Sequence, residues 1–256
     1  NQILVSCVII YFYGQFRFMQ SWSIGILCYN EAGTIKDVYL KAKSVAARLS
    51  DQYEIIVVDD CSTDGSRDII HTICDTDHAV RGIFHEKNLG IGLSIRDIYF
   101  NAKNENVVFI PGDGQFDSEE LLPYASFSDK NYIAFYRKEN QSYSFFRNSL
   151  SYMNKLVNSL FIGLKLRDVN WVKVYKTHIL TQLDLKAQSS FIESEICAKL
   201  NRLFIKPIEV DSKYIPRVYG TSKGASWAII RKVYIELFKI FINLRQFDPT
   251  KVNIDK

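Results

Sequence analysis

The stretch Ile55-Ile56-Val57-Val58-Asp59-Asp60-Cys61-Ser62-Thr63-Asp64-Gly65-Ser66 decides the fold. Its apolar start reads as a strand buried on both faces, because a half-solvated strand would alternate polar and apolar residues. Asp59 and Asp60 stand where the strand leaves the sheet. Ser62 to Ser66 is turn chemistry opening a helix over 66–74, with Asp64 or Ser66 placed to cap it.

The same unit recurs on either side. Ser23–Cys28 reads as a strand, and Glu31–Leu49 carries Ile35, Val38, Ala42, Val45, Ala46 and Leu49 at helical spacing. Val80–His85 is a third strand, followed by the loop Asn88-Leu89-Gly90-Ile91-Gly92 and a helix over Leu93–Lys103. Val107–Ile110 is a fourth strand, ending at Pro111-Gly112-Asp113. Strands alternating with amphipathic helices predict an α/β chain with a mostly parallel sheet covered on both faces. Such sheets bind ligands at the C-terminal ends of their strands. Asn30, Glu31, Asp59, Asp60, Asn88, Asp113 and Gln115 all fall there.

Further along, Tyr143–Phe161 and Phe191–Leu200 read as helices, and Asp168–Tyr175 and Ile205–Val210 as strands. A helix from about Ala225 to Gln246 places Ile229, Ile230, Val233, Leu237, Ile240 and Leu244 on one face. Lys232, Glu236, Lys239 and Asn243 fall opposite, so it reads as a packed or an interfacial helix rather than a membrane span. The expected division is an N-terminal apolar segment over 1–21, a catalytic domain over 22–223 and an amphipathic helix and tail over 224–256. The apolar run Ile3–Tyr13 is shorter than the roughly 20 residues a span needs, and the core is expected to begin after Met19.

Composition removes several classes. With 47% hydrophobic residues and a net charge of +4 in 256 residues, the chain is not disordered. Five cysteines without a CxxC pair indicate neither a disulfide framework nor a zinc site, which favours a reducing compartment. The GxGxxG spacing is absent, which disfavours a dehydrogenase. The four histidines show no metal-ligand spacing and read as surface or core residues. The total of +4 conceals an asymmetry. Residues 1–136 hold 11 Lys/Arg against 18 Asp/Glu, and residues 137–256 hold 21 against 10. An acidic first half suits a hard divalent cation bridging a nucleotide diphosphate. A basic second half suits an anionic or membrane partner, and no nucleic-acid partner is expected.

In this order the segments Tyr29-Asn30-Glu31, Asp59-Asp60 through Ser66, Asn88-Leu89-Gly90 and Gly112-Asp113-Gly114-Gln115 resemble the family 2 glycosyltransferases. Arg217-Val218-Tyr219-Gly220-Thr221-Ser222-Lys223 is similar to the R-x-x-G-x-S-K segment of that family's polyprenyl-phosphate branch, to which dolichol-phosphate mannose synthase belongs. The resemblance covers roughly residues 22–245. It implies a Rossmann-like GT-A fold and an inverting, metal-dependent transfer from a UDP- or GDP-linked sugar to a polyprenyl phosphate. It assigns Tyr29, Asn30, Glu31, Asp59, Asp60 and Asn88 to the donor nucleotide, and Asp113 with Gln115 to Mg²⁺ or Mn²⁺. Arg217, Ser222 and Lys223 hold phosphates, with Arg137 and Arg147 as further candidates. Asp168 and Glu195 match acidic positions of the acceptor region and join Asp113 as catalytic candidates.

One departure stands out. Relatives often read D-x-D-x-Q at the metal loop, and here Pro111 takes the first position. Either metal affinity is then expected to be reduced, or another carboxylate such as Asp59 or Asp117 to assist. Plain structural readings remain beside these roles: Glu195 pairing with Lys199 one helical turn on, and Asp168 pairing with Arg167 or capping a turn. A saccharide hydroxyl as acceptor, which needs a base, and a non-catalytic nucleotide-sugar binding module are the alternatives. The chain is expected peripheral at the cytoplasmic face of a membrane, and a homo-oligomer stays open.

Overall fold

The computed structural model describes residues 20–137, 164–217 and 227–254, with side chains of the last segment described from 236 onward. The helix expected over 143–161 and the candidates Arg147, Ser222 and Lys223 lie outside the described residues.

Among the described residues seven strands form one sheet in the order β3-β2-β1-β4-β6-β5-β7. They are β1 (Trp22–Cys28), β2 (Tyr53–Asp59), β3 (Val80–Phe84), β4 (Asn106–Pro111), β5 (Asn131–Arg137), β6 (Lys173–Lys176) and β7 (Lys206–Ser212). Strands β1 to β4 pair in parallel, with Gly25 opposite Ile56 on one side and Phe109 on the other. Strand β6 runs antiparallel to both β4 and β5, while β7 is again parallel to β5. Strand β6 pairs with Asn106 to Val108 of β4, so the residues that precede it run toward the C-terminal end of β4.

The helices are α1 (Ile35–Leu49), α2 (Ser66–Thr76), α3 (Ile91–Asn101), α4 (Thr177–Leu180), α5 (Ile192–Arg202) and α6 (Trp227–Gln246). Two apolar cores lie on opposite faces of the sheet. Ile24, Ile26, Ile55 and Val57 face α1 and α2 through Ile35, Val45, Ile70 and Ile73. Ile56, Val58, Val107 and Phe109 face α3 and α5 through Ile95, Ile98, Ile192 and Ile196. Period-2 alternation along β2 thus feeds both layers, which is why its sequence has no polar face.

Three expectations need correction. Strand β5 carries no clear signal between its neighbours and was not foreseen. The strand expected over Asp168–Tyr175 is confined to Lys173–Lys176, because residues 168–172 form a loop around Asp168. Ser66 does not cap α2; its hydroxyl accepts from the Glu31 amide at 2.9 Å and donates to Asp64, while the Asp64 carboxylate accepts from the Ser66 amide. In α6, Ile240 and Leu244 are buried in the core shared with α5, and Phe238 is 66% exposed. The described half of that helix therefore packs on the domain.

Gly25 lets α3 approach β1. A Cβ there would stand 2.2 Å from Cγ2 of the fully buried Ile98. Overpacking of this kind costs about 1–3 kcal/mol. Gly25→Ala is expected to lose that much stability in urea unfolding, with an unchanged slope.

Candidate functional site

A cavity of about 600 Å³ opens at the C-terminal edge of β1, β2 and β4, within the size range of small-molecule sites. Its wall includes Tyr29, Glu31, Asp60, Asn88, Asp113, Gln115 and Arg217. Seven residues assigned from sequence are therefore brought together by five separate chain segments.

The loop after β1 is shaped by the loop after β2. Asn30 adopts φ 58°, its amide donates to the Ser62 hydroxyl, and its side-chain oxygen accepts from the Thr63 amide. The Ala32 amide donates to Asp64 at 2.9 Å. Asn30 is thus a brace between loops, with Tyr29 and Glu31 beside it on the cavity wall.

Asp59 and Asp60 part company. Asp59 is fully buried, pairs with Arg67 at 2.7 Å and accepts from the Ser62 amide. It does not line the cavity and belongs to the scaffold. Asp60 lines the cavity and holds the next loop, accepting from the Leu89 amide at 2.7 Å and the Gly90 amide at 2.9 Å. Gly90, with φ +87°, makes the bend that starts α3.

Asp60 is itself fixed by His85, whose Nδ1 lies 2.8 Å away and whose Nε2 lies 2.8 Å from Asp97. Burial acts to lower the His85 pKa, but hydrogen bonds and charge from Asp60 and Asp97 outweigh it and raise the pKa above the ordinary 6.5. The sequence reading treated this histidine as an ordinary surface or core residue. It is the buried support of a cavity carboxylate.

The metal loop is held from far away. The Arg217 guanidinium reaches Asp113 Oδ2 at 2.8 Å and Glu31 Oε1 at 2.9 Å. Burial pushes the Glu31 carboxyl up to about 7; Arg217 pulls it down, and Asp113 and Asp64 raise it further. Asp113 also accepts from the Gln115 amide, and Gln115 Nε2 donates to the Tyr214 hydroxyl at 2.5 Å. The helpers expected for Pro111 are engaged elsewhere: Asp59 with Arg67, and Asp117 with Lys41 at 2.9 Å.

Among the described residues no group of three or more His, Cys, Asp or Glu forms a metal cluster. The oxygen donors of Asp113 and Gln115 nevertheless fit Mg²⁺ or Mn²⁺, which bind through one or two carboxylates and take the remaining ligands from substrate phosphates and water. Arg217 marks the place, since its guanidinium already sits where two carboxylates converge.

The second-half acids Asp168 and Glu195 are both engaged in ion pairs, and for Glu195 the partner is the expected Lys199. Asp168 pairs with Arg137 through two bonds of 2.7 and 3.2 Å, not with Arg167, which stacks on Tyr136. The Arg137 guanidinium lies 4.7 Å from the Trp171 ring centre. Neither partner lines the cavity; together they back Trp171 and Asn170, which do. Glu195 is fully buried, pairs with Lys199 at 2.7 Å and accepts from the Lys186 and Ala187 amides. It does not reach the cavity and ties a loop to α5. The acid of α5 that does line the cavity is Glu193, two residues earlier. Its only sequence signal was helical phase.

Residues 23–181 match the family model described as Glycosyl transferase family 2. Curated relatives include the undecaprenyl-phosphate 4-deoxy-4-formamido-L-arabinose transferases of Proteus mirabilis (26% identity over 216 residues) and Aeromonas hydrophila (26% over 217). In both cases 83% of this chain is covered, and it spans 65% of the relative's length. Among solved structures, the glucosyl-3-phosphoglycerate synthase from Mycobacterium tuberculosis complexed with UDP superposes with TM-score 0.61 at 17% identity. That match covers 87% of this chain and 80% of the other. The same enzyme with Mn²⁺, UDP-glucose and phosphoglyceric acid gives 0.60 at 16% identity, covering 87% and 80%. The likeness shows the fold, which is GT-A.

Two outcomes are expected. A group whose folded pKa is raised stabilises the fold fully below its unfolded pKa, and that contribution is lost as pH rises through the folded value. Urea unfolding should show wild type losing stability from about pH 6.5 upward, and His85→Asn lacking that part of the loss. Glu195→Ala strands the buried Lys199 charge and should cost about 3–5 kcal/mol, measured by the same method.

Proposed function

The chain belongs to glycosyl transferase family 2, and from that membership we propose that it moves a sugar from a nucleotide diphosphate to a polyprenyl phosphate, with inversion. The donor is UDP- or GDP-linked. Tyr29, Glu31, Asp60 and Asn88 hold the nucleotide, and Asp113 with Gln115 holds Mg²⁺ or Mn²⁺. The cation, when bound, neutralises the leaving diphosphate.

The observation carrying this reading is the Arg217 guanidinium beside Asp113 on the cavity wall. A phosphate acceptor is already anionic at neutral pH, so the site must gather two anions and does not need a strong base. Arg217 supplies fixed positive charge where they meet, and Ser222 and Lys223 follow it in sequence. The names of the curated relatives support the same acceptor class.

A saccharide hydroxyl acceptor needs a base, and the two residues expected from sequence for that role are both committed elsewhere, which leaves Glu193 as the α5 acid on the cavity wall. Asp168 is held by Arg137 and Glu195 by Lys199, and neither lines the cavity. A non-catalytic module is disfavoured because the cavity retains both Asp113 and the cation partner.

Among the described residues no helix is long and apolar enough to cross a membrane. The chain acts peripherally at the cytoplasmic face, where soluble nucleotide sugars meet a phosphate anchored in the bilayer. The basic second half suits an anionic surface.

The test is incubation with labelled UDP- and GDP-sugars, Mn²⁺ and undecaprenyl phosphate, counting label in the organic phase. Glycolipid should form, and Arg217→Ala should reduce turnover by about 10²-fold or more. Nucleotide binding with no glycolipid from any donor would contradict the acceptor assignment.

A further inference from the structure

Besides Asp113 and Arg217, the cavity wall includes Ser94, Ile95, Phe109, Val172, Ser190 and Glu193. All but Glu193 are apolar or carry only a small hydroxyl. Glu193 is 2% exposed, so it is a charged group reached only from inside the cavity.

Its carboxylate is held on three sides. Tyr99 donates to Oε1 at 2.7 Å, Tyr175 donates to Oε2 at 2.7 Å, and Lys173 Nζ lies 3.3 Å from Oε2. Lys173 is itself fully buried and donates to the Val169 and Trp171 carbonyls. Burial, reinforced by Glu193 and Cys197, holds both phenols well above their ordinary pKa, so they stay protonated donors. Tyr99 comes from α3 and Tyr175 and Lys173 from β6, so two elements fix the position of the α5 carboxylate. An ionised carboxylate has about four acceptor sites, and these three contacts do not exhaust them.

On the nucleotide-sugar reading the diphosphate lies by Asp113 and Arg217, so the sugar of the donor occupies the same cavity as Glu193. An anion is a poor partner for Glu193, and a hydroxyl is a good one.

We propose that Glu193 is a specificity-determining residue that accepts a hydrogen bond from a hydroxyl of the transferred sugar. This rests on the nucleotide-sugar reading above. A site built to pair with a hydroxyl discriminates strongly against an analogue lacking it, because the buried acceptor is left unpaired. Tyr99, Tyr175 and Lys173 are positioning residues, since they touch Glu193 and not the sugar.

The test compares affinities of UDP, UDP-glucose, GDP and GDP-mannose for wild type and Glu193→Gln by titration calorimetry. The expected result is that the nucleotide sugar weakens about tenfold or more in the variant, while the matching nucleoside diphosphate stays within about twofold. Parallel changes in both ligands, or no change in either, overturn the proposal. Should Glu193→Gln fail to fold, wild type is titrated with 2-, 3-, 4- and 6-deoxy analogues of whichever nucleotide sugar binds. One position should cost about tenfold or more, and equal affinity for all four overturns the proposal. Binding of none of the four parent nucleotides contradicts the donor reading itself, a separate outcome.

Discussion

One guanidinium joins the parts of this site. Arg217 reaches back 104 residues to Asp113 and 186 residues to Glu31. The two carboxylates come from loops at the ends of β4 and β1, neighbouring parallel strands in the sheet. Strand geometry brings them together, and without a cation their charges repel at a half-buried edge. Arg217 resolves that repulsion with a group that cannot lose its proton under ordinary conditions. The same arrangement suits a diphosphate, an anion that needs both a fixed cation and a carboxylate-bound one.

The surrounding loops are built to keep that edge open and rigid. Asp60 spends its carboxylate on the Leu89 and Gly90 amides, and His85 with Asp97 keeps it oriented. Asn30, Ser62, Asp64 and Ser66 lock the β1 and β2 loops to each other. Polar residues that look like ligand contacts in sequence are therefore often loop braces. Asp59 is the clearest case, since its carboxylate is held by Arg67 and the Ser62 amide and is closed to solvent.

Much of the first half was legible because its strands are buried on both faces and its loops carry turn chemistry. Ile55–Val58 and the residues after it announced a parallel sheet and the edge at which ligands bind. The second half was harder to read. Strand β5 and the loop at 168–172 are defined by pairing across the sheet, not by local pattern. The roles of Asp168 and Glu195 turned on partners 31 residues away and one helical turn away, and a single sequence does not choose between partners. Glu193 was passed over because its neighbour Glu195 carried the family resemblance. Arg217 joins the two halves, pairing a cation of the basic one with Glu31 and Asp113 of the acidic one.

The most direct test of a cation-assisted diphosphate site is the Mn²⁺ dependence of UDP and GDP affinity, measured by titration calorimetry in wild type and Asp113→Asn. The expected result is tighter nucleotide binding with Mn²⁺ in wild type and no metal effect in the variant. Equal binding with and without Mn²⁺ in wild type, unchanged by Asp113→Asn, would contradict it.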